Sequence, residues 1–96
     1  MPAYVMAALY DVTDPAGFEE YQNLAGPTVA SFGGKFIASS ESVEVMEGDW
    51  APMGFRLFEF ESVEQAKRWY NSPEYQAVLP MRKNSTDSGL IMGAGM

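Results

Sequence analysis

The sequence predicts an α+β fold of the ferredoxin-like type, a β-α-β-β-α-β chain with an antiparallel sheet. The first observation is the order of its segments: a strand and a helix, then a hairpin, then a second helical region and a last strand. The second is topological. Two crossovers of the βαβ type around a central hairpin place both helical regions on one face of the sheet.

A strand and a long helix open the chain. Residues 4–10 are apolar at both odd and even positions, which is typical of a central strand covered on both faces. Asp14 is suited to cap a helix, and Pro15 to begin it. Apolar residues then recur at helical spacings: Phe18, Tyr21, Ala25, Val29 and Phe32. We expect Pro27 to kink or split this helix and the glycine pair at 33–34 to end it.

The middle of the chain predicts a hairpin. Residues 35–38 form a short strand, 39–42 form a bend or bulge, and 43–47 resume the strand. A loop at 48–52 then leads to a return strand over residues 55–61.

A second helical region and a final strand follow. A capping box at 62–65 starts a helix at Val63. The Asn-Ser-Pro run at 71–73 ends this helix, and its serine caps a second helical segment that starts at the proline. We expect a loop at 85–89 and a short last strand that begins at Leu90.

The composition indicates one packed domain, residues 1–96. The chain is 47% hydrophobic and 14% aromatic, and it contains no Cys and no His. Disulfides, thiolate catalysis, imidazole bases and the usual zinc and haem ligands are therefore excluded, and we expect no metal and no cofactor. The net charge of −7 argues against nucleic acid and anionic membranes as partners, because phosphate binding needs clustered Lys and Arg.

From the N-terminal segment we expect no signal peptide. The segment has no basic region followed by a long apolar run. Its longest apolar stretch, residues 3–10, is far shorter than the roughly 20 residues of a membrane span. We expect a soluble, cytoplasmic protein.

The apolar residues also predict self-association. If the helices cover one face of the sheet, the second apolar face of the first strand is left without a cover. The hairpin repeats this pattern, because Phe58 and Phe60 point one way and Leu57 the other. A homodimer that packs sheet against sheet would bury this face. The alternative is that loops and the C-terminal tail cover it.

A set of motifs in a specific joint order runs along nearly the whole chain. They are Asp14-Pro15 with Phe18-Glu19-Glu20-Tyr21, Gly33-Gly34, Glu47-Gly48-Asp49-Trp50, Phe60-x-Ser62-x-x-x-Ala66, Trp69-Tyr70, and Ser72-Pro73-Glu74-Tyr75-Gln76 with Arg82 downstream. In this order the sequence resembles the DUF1330 family of small bacterial proteins. It departs from many relatives at residues 39–41, Ser-Ser-Glu, where we expect a basic residue and glycines.

The resemblance implies a place in the dimeric α/β-barrel superfamily, whose members form ferredoxin-like dimers. That superfamily includes cofactor-free monooxygenases of antibiotic biosynthesis, muconolactone isomerases, and haem-binding chlorite dismutases and dye peroxidases. The family itself has no generally assigned reaction, so the resemblance implies fold and dimer rather than chemistry. The haem branch fits poorly because this chain has no His.

Arg82 and Glu59 are the candidate catalytic residues. Arg82 lies on the apolar face of its predicted helix, where a guanidinium is suited to clamp a substrate carboxylate or oxyanion. Alternatively, it extends toward solvent and forms an intramolecular ion pair. Glu59 lies between two phenylalanines of a strand, and apolar surroundings favour its use as a general acid or base. Alternatively, its face is exposed, or it pairs with Arg56 or another cation.

Three aromatic residues are candidates for the wall of a small pocket between sheet and helices: Tyr21, Trp69 and Tyr75. Each combines an apolar body with a polar tip. Because all three sit at helical core spacings, plain core packing is the alternative.

These observations favour a cytoplasmic homodimer with one small pocket per subunit. The pocket would bind a modest, partly apolar organic molecule, and any catalysis would be cofactor-free proton transfer or oxygenation. The alternative is a non-catalytic binding or stress-associated module, in which side chains fill the space between sheet and helices.

Overall fold

A computed structural model describes residues 1–95 as a four-stranded antiparallel sheet with three helices. The elements are β1 (Ala3–Val12), α1 (Pro15–Ser31), β2 (Lys35–Ser40), β3 (Gly54–Phe60), α2 (Val63–Tyr70), α3 (Pro73–Ser85) and β4 (Thr86–Ala94). The strand order is β2-β3-β1-β4. This order, with α2 and α3 together forming the second crossover, confirms the predicted ferredoxin-like βαββαβ fold.

The two faces of the sheet differ in burial. On β1, Ala3, Val5 and the other residues of that parity are buried beneath the helices. Tyr4 and Tyr10, on the opposite parity, are exposed. We call the helix-covered side the inner face and the opposite side the outer face. Directly paired residues of neighbouring strands point to the same face, so the register of the sheet assigns every strand residue to one of the two.

Aromatic side chains form the centre of the core on the inner face. The Trp69 ring lies 4.3 Å from the Tyr75 ring and 5.5 Å from the Phe60 ring, measured between centroids. All three side chains are fully or almost fully buried. The Trp69 Nε1–H donates to Thr28 Oγ1 at 3.0 Å, which satisfies the one polar group of the buried indole.

The predicted helix caps are present. Asp14, Ser62 and Ser72 each accept a hydrogen bond at 3.1 Å from the backbone N–H three residues on. The reciprocal half of the capping box at 62–65 is not formed. Gln65 Nε2 donates instead to the Phe32 carbonyl at 2.7 Å, so this side chain ties α2 to the end of α1.

Of the two effects predicted for Pro27, a kink or a split, the split does not occur. Helix α1 runs continuously over Pro15–Ser31. Both Pro27 and Asn23, whose carbonyl loses its usual N–H partner, are exposed, so water can replace the missing hydrogen bond. The helix ends as predicted at a glycine pair: Gly33 has a φ of 78°, and the Gly34 N–H donates to the Val29 carbonyl at 2.9 Å.

The predicted continuation of the hairpin strand at 43–47 is wrong. Pairing between β2 and β3 stops at Ser40, and the chain from there to Met53 lies outside the sheet. Continued pairing would involve Pro52, which has no N–H to donate. The Met53 N–H is already used, since it donates to the Leu9 carbonyl at 2.7 Å.

The bulge in β2 also lies earlier than predicted. The register shift falls between Phe36 and Ala38 rather than at 39–42. Because β2 is an edge strand, it pairs on one side only and tolerates an extra residue there.

The predicted loop at 85–89 is wrong as well. Helix α3 continues to Ser85, and β4 begins at Thr86. The hydroxyl groups that suggested a loop have partners in place: Ser85 Oγ donates to the Met81 carbonyl and Thr86 Oγ1 to the Arg82 carbonyl, both at 2.6 Å. This tight junction brings Arg82 close to the first residues of β4.

Within residues 1–95, none of the helices is long and apolar enough to cross a membrane.

Candidate functional site

A cavity of about 420 Å³ lies between α1 and the inner face of the sheet. This volume falls within the range of about 300–1,000 Å³ that is typical of small-molecule sites. Small residues leave the room for it: Ala7 on β1, Ala25 and Gly26 on α1, and Gly34 at the start of β2. The apolar lining also includes Phe18, Phe58 and Leu90.

Gly34 holds the chain close to the core at one end of the cavity. A Cβ at this position would lie 2.6 Å from Val29 Cγ1 and 2.7 Å from two atoms of the Phe60 ring. Phe60 is only 1% exposed and has no room to move. Only glycine therefore allows the close approach of β2 to the end of α1.

Arg82 projects from α3 into the lining of the cavity, although the residue is only 5% exposed. Its Nη1 donates to Ser88 Oγ on β4 at 3.2 Å. Its buried Nε has no hydrogen-bond partner among the residues described. Over residues 1–95 the only ion pair joins Arg56 to Glu41, so no carboxylate within that range neutralises the Arg82 guanidinium.

Two tyrosines stand beside this guanidinium. The hydroxyls of Tyr21 on α1 and Tyr75 on α3 lie 2.9 Å apart. Burial raises the pKa of Tyr21 well above its ordinary value, Tyr75 adds to the rise, and the Arg82 charge counteracts it. Burial raises the pKa of Tyr75 as well. Both phenols therefore keep their protons at neutral pH. One of the two protons lies in the hydrogen bond between the hydroxyls, and the other can be donated to a further acceptor.

The structure brings together three of the five predicted site residues. Arg82, Tyr21 and Trp69 all line the cavity. Tyr75 is fully buried and lies behind this lining, where it contacts the lining residues Tyr21 and Trp69.

Glu59, the fifth predicted residue, lies on the outer face. It pairs with Tyr4 of β1 and Lys35 of β2, so the sheet separates it from Arg82. The predicted alternative of a pair with Arg56 is also not formed, because strand residues three positions apart point to opposite faces. A hydrogen bond with Glu59 and its negative charge raise the pKa of Tyr4.

Arg56 of β3 is the cavity residue that the sequence analysis did not predict as part of a site. Its guanidinium lies 5.9 Å from the centroid of the Phe18 ring. With the Gln22 amide oxygen turned toward the cation, that oxygen accepts hydrogen bonds from Arg56 Nε at 3.2 Å and Nη2 at 3.3 Å. The sequence does contain a signal for Arg56. This residue lies two positions before Phe58 in a strand, so the two side chains point to the same face of the sheet.

The outer face is apolar and open. Met6 of β1 lies between Leu57 of β3 and Ile91 of β4, and Ala8 lies beside Phe55. Ile91 is 69% exposed. The alternative that loops cover this face therefore does not hold at Ile91 within the described residues.

An antiparallel β2-β3-β1-β4 sheet with helices on one face and a cavity beneath α1 defines a ferredoxin-like α+β protein. The chain belongs to the DUF1330 family, a domain of unknown function, whose model matches residues 2–96. No curated protein matches the chain.

Solved structures with the same fold include three informative neighbours. A protein of unknown function from Rhodopseudomonas palustris has a TM-score of 0.80 at 19% identity, over 99% of this chain and 82% of its own. SnoaB, a cofactor-independent oxygenase from Streptomyces nogalater, has a TM-score of 0.71 at 13% identity, over 99% and 93%. A dimeric ferredoxin-like protein of unknown function from Thermobifida fusca has a TM-score of 0.64 at 10% identity, over 98% and 91%. At such identities the likeness is one of fold.

Proposed function

We propose that this protein binds a small, partly apolar organic anion in the cavity beneath α1, with Arg82 as the anchor. The observation that carries the proposal is the Arg82 guanidinium, which is buried in the cavity lining with an unpartnered Nε and no carboxylate beside it. A buried charge is costly unless it is paired and fully hydrogen-bonded. A ligand carboxylate or oxyanion would supply both the missing charge and the missing acceptor.

The rest of the cavity suits an apolar ligand body. Phe18, Tyr21 and Trp69 present aromatic surface, and Ala7 and Leu9 form a floor on β1. A flat ring system of one or two rings would bury most of its surface against these groups.

The chemistry that this site favours is cofactor-free proton transfer or oxygenation of the bound anion. The protonated Tyr21 hydroxyl and the Arg82 guanidinium are suited to stabilise negative charge on a ligand oxygen. Among the described lining residues there is no carboxylate, so the ligand would arrive ionised or lose its proton to water. The fold shared with the cofactor-independent oxygenase SnoaB supports this reaction class.

The second candidate is a binding module without turnover. It is favoured by the same lack of a general base among the described lining residues. From the sequence we expect side chains to fill the space beneath the helices in such a module. The cavity of about 420 Å³ does not agree with that expectation. The two candidates differ in whether a bound ligand is recovered unchanged after incubation in air.

We further propose that the protein acts as a cytoplasmic homodimer joined through its outer faces. The exposed Ile91 and the apolar residues around it support this arrangement. So does the fold shared with the Thermobifida fusca protein, which is described as dimeric.

Binding of 2-naphthoate, measured by isothermal titration calorimetry, tests the ligand proposal. We expect Arg82→Met to weaken binding about tenfold or more, because a hydrogen bond to a charged group contributes about 1.5–3 kcal/mol. Arg68→Met is the matched control, since it removes the same charge from an exposed position on α2 and should leave the affinity unchanged. Equal affinity of wild type and Arg82→Met, or equal affinity for the neutral 2-naphthamide, would contradict the proposal.

A further inference from the structure

Building on the proposed function, we infer that the natural ligand carries two acidic groups at opposite ends of an apolar body. Arg82 holds one of them and Arg56 the other. Both guanidinium-bearing residues line the same cavity, and no acidic residue does so within the described part of the chain. In a protein whose net charge is −7, two arginines around one apolar cavity form a local positive site.

The positive charge of Arg56 is only weakly compensated by acidic groups of the protein. Its one acidic partner among residues 1–95 is Glu41, reached by a single contact of 3.6 Å between Arg56 Nη2 and Glu41 Oε1. The Glu41 side chain is 85% exposed, whereas that of Arg56 is 15% exposed. An exposed ion pair of this kind is screened by water and contributes little, so a ligand anion can displace Glu41.

The other groups around Arg56 position the guanidinium without neutralising it. The Gln22 amide oxygen and the Phe55 carbonyl accept its hydrogen bonds. The Phe18 ring lies beneath it at 5.9 Å, where the negative face of an aromatic ring attracts a cation. Arg56 is therefore oriented, and a ligand anion would bind it by replacing Glu41 at Nη2.

The fold holds the two guanidinium groups against strands on opposite sides of β1, Arg56 beside β3 and Arg82 beside β4. Arg56 pairs with Ala7 on one side of β1, and Ser88, the hydrogen-bond partner of Arg82, pairs with Leu9 on the other side. Two strand spacings separate these flanking strands, about 10 Å. This separation favours two acidic groups that are held apart by a ring system or a chain of similar length over a compact dianion such as oxalate.

The apolar surface between the two cations requires a ligand whose middle part is apolar. Ala7 and Leu9 lie on β1 between the two flanking strands, and both are buried. A ligand with polar groups in its middle would lose hydration there without gaining a partner. The class we infer is therefore an aromatic or aliphatic dicarboxylate, or an acid with an ionised hydroxyl at its far end.

Naphthalene-2,6-dicarboxylate and 2-naphthoate, which differ by one carboxylate, test this inference by calorimetry. We expect wild type to bind the dicarboxylate about tenfold more tightly than the monoacid. Arg56→Met should bring the ratio of the two affinities to about one, whatever its effect on 2-naphthoate binding itself. Arg56→Lys, which keeps the charge, should retain part of the preference. Glu41→Gln, which removes the competing carboxylate, should strengthen dicarboxylate binding about two- to fivefold.

The outcomes separate this inference from the proposed function. Equal binding of the two acids by wild type, or a preference that persists in Arg56→Met, overturns the inference. The proposed function survives that result if 2-naphthoate binding still depends on Arg82. If wild type binds neither acid at millimolar concentration, both fall.

Discussion

The hydroxyls of Tyr21 and Tyr75 lie 2.9 Å apart and join α1 to α3 above the sheet. This hydrogen bond fixes a phenol on the cavity wall beside the Arg82 guanidinium. Because burial disfavours the phenolates, the pair remains neutral over the physiological pH range. The cavity therefore offers an anion a neutral phenol next to a permanent cation, and the Tyr21 hydroxyl can donate to that anion when Tyr75 donates to Tyr21.

The first prediction concerns alkaline stability. In the unfolded chain a tyrosine ionises near its ordinary pKa of 10.0, whereas Tyr21 in the fold ionises at higher pH. The stability that depends on the neutral phenol is therefore fully present below about pH 10 and falls as the pH rises above that value. Each such tyrosine contributes a slope of about 1.4 kcal/mol per pH unit.

Urea unfolding between pH 9 and 11 measures this effect. Other ionisable groups contribute to the slope equally in wild type and in Tyr21→Phe. Between pH 9 and 11 we expect the free energy of unfolding to fall by about 1.4 kcal/mol less in the variant than in wild type. Identical slopes would show that the Tyr21 phenol is not held neutral by the fold.

A second prediction concerns the polar group of the buried indole. Thr28→Val removes the acceptor of the Trp69 N–H and leaves that donor buried without a partner. We expect the free energy of unfolding to fall by about 1–3 kcal/mol. Thr28→Ser keeps the hydroxyl and is the control. If urea unfolding gives the same stability for both variants, the hydrogen bond contributes nothing.

A third prediction concerns self-association. Ile91 is 69% exposed on the outer face, so Ile91→Lys should place a charge in the proposed interface without disturbing the core. We expect native mass spectrometry at micromolar protein to give a dimer for wild type and a 10.6 kDa monomer for the variant. Glu64→Lys, on exposed α2, should remain dimeric. A wild-type spectrum that contains only the monomer would overturn the dimer.

Local sequence signals were enough to predict most of the fold. Helix caps at Asp14, Ser62 and Ser72 depend on neighbours three residues away, and strand parity depends on neighbours two residues away. The wrongly predicted strand at 43–47 and loop at 85–89 arose where hydrogen bonds to other parts of the chain decided the local structure. Whether a strand continues, or a polar junction is satisfied, depends on partners that are distant in sequence.

The candidate site was predictable only where local sequence patterns determine which way a side chain points. Helical spacing identified Tyr21, Trp69 and Arg82 as members of inward-facing stripes, and these residues do meet at the cavity. Glu59 appeared to be in apolar surroundings because its sequence neighbours are Phe58 and Phe60. Those neighbours point to the inner face, however, while Glu59 points to the outer one.

A crystal structure of the protein with bound 2-naphthoate would test the central claim most directly. We expect the carboxylate to lie within about 3 Å of the Arg82 guanidinium, with the rings between α1 and the inner face of the sheet. A ligand bound elsewhere, or one in the cavity whose carboxylate avoids Arg82, would contradict it.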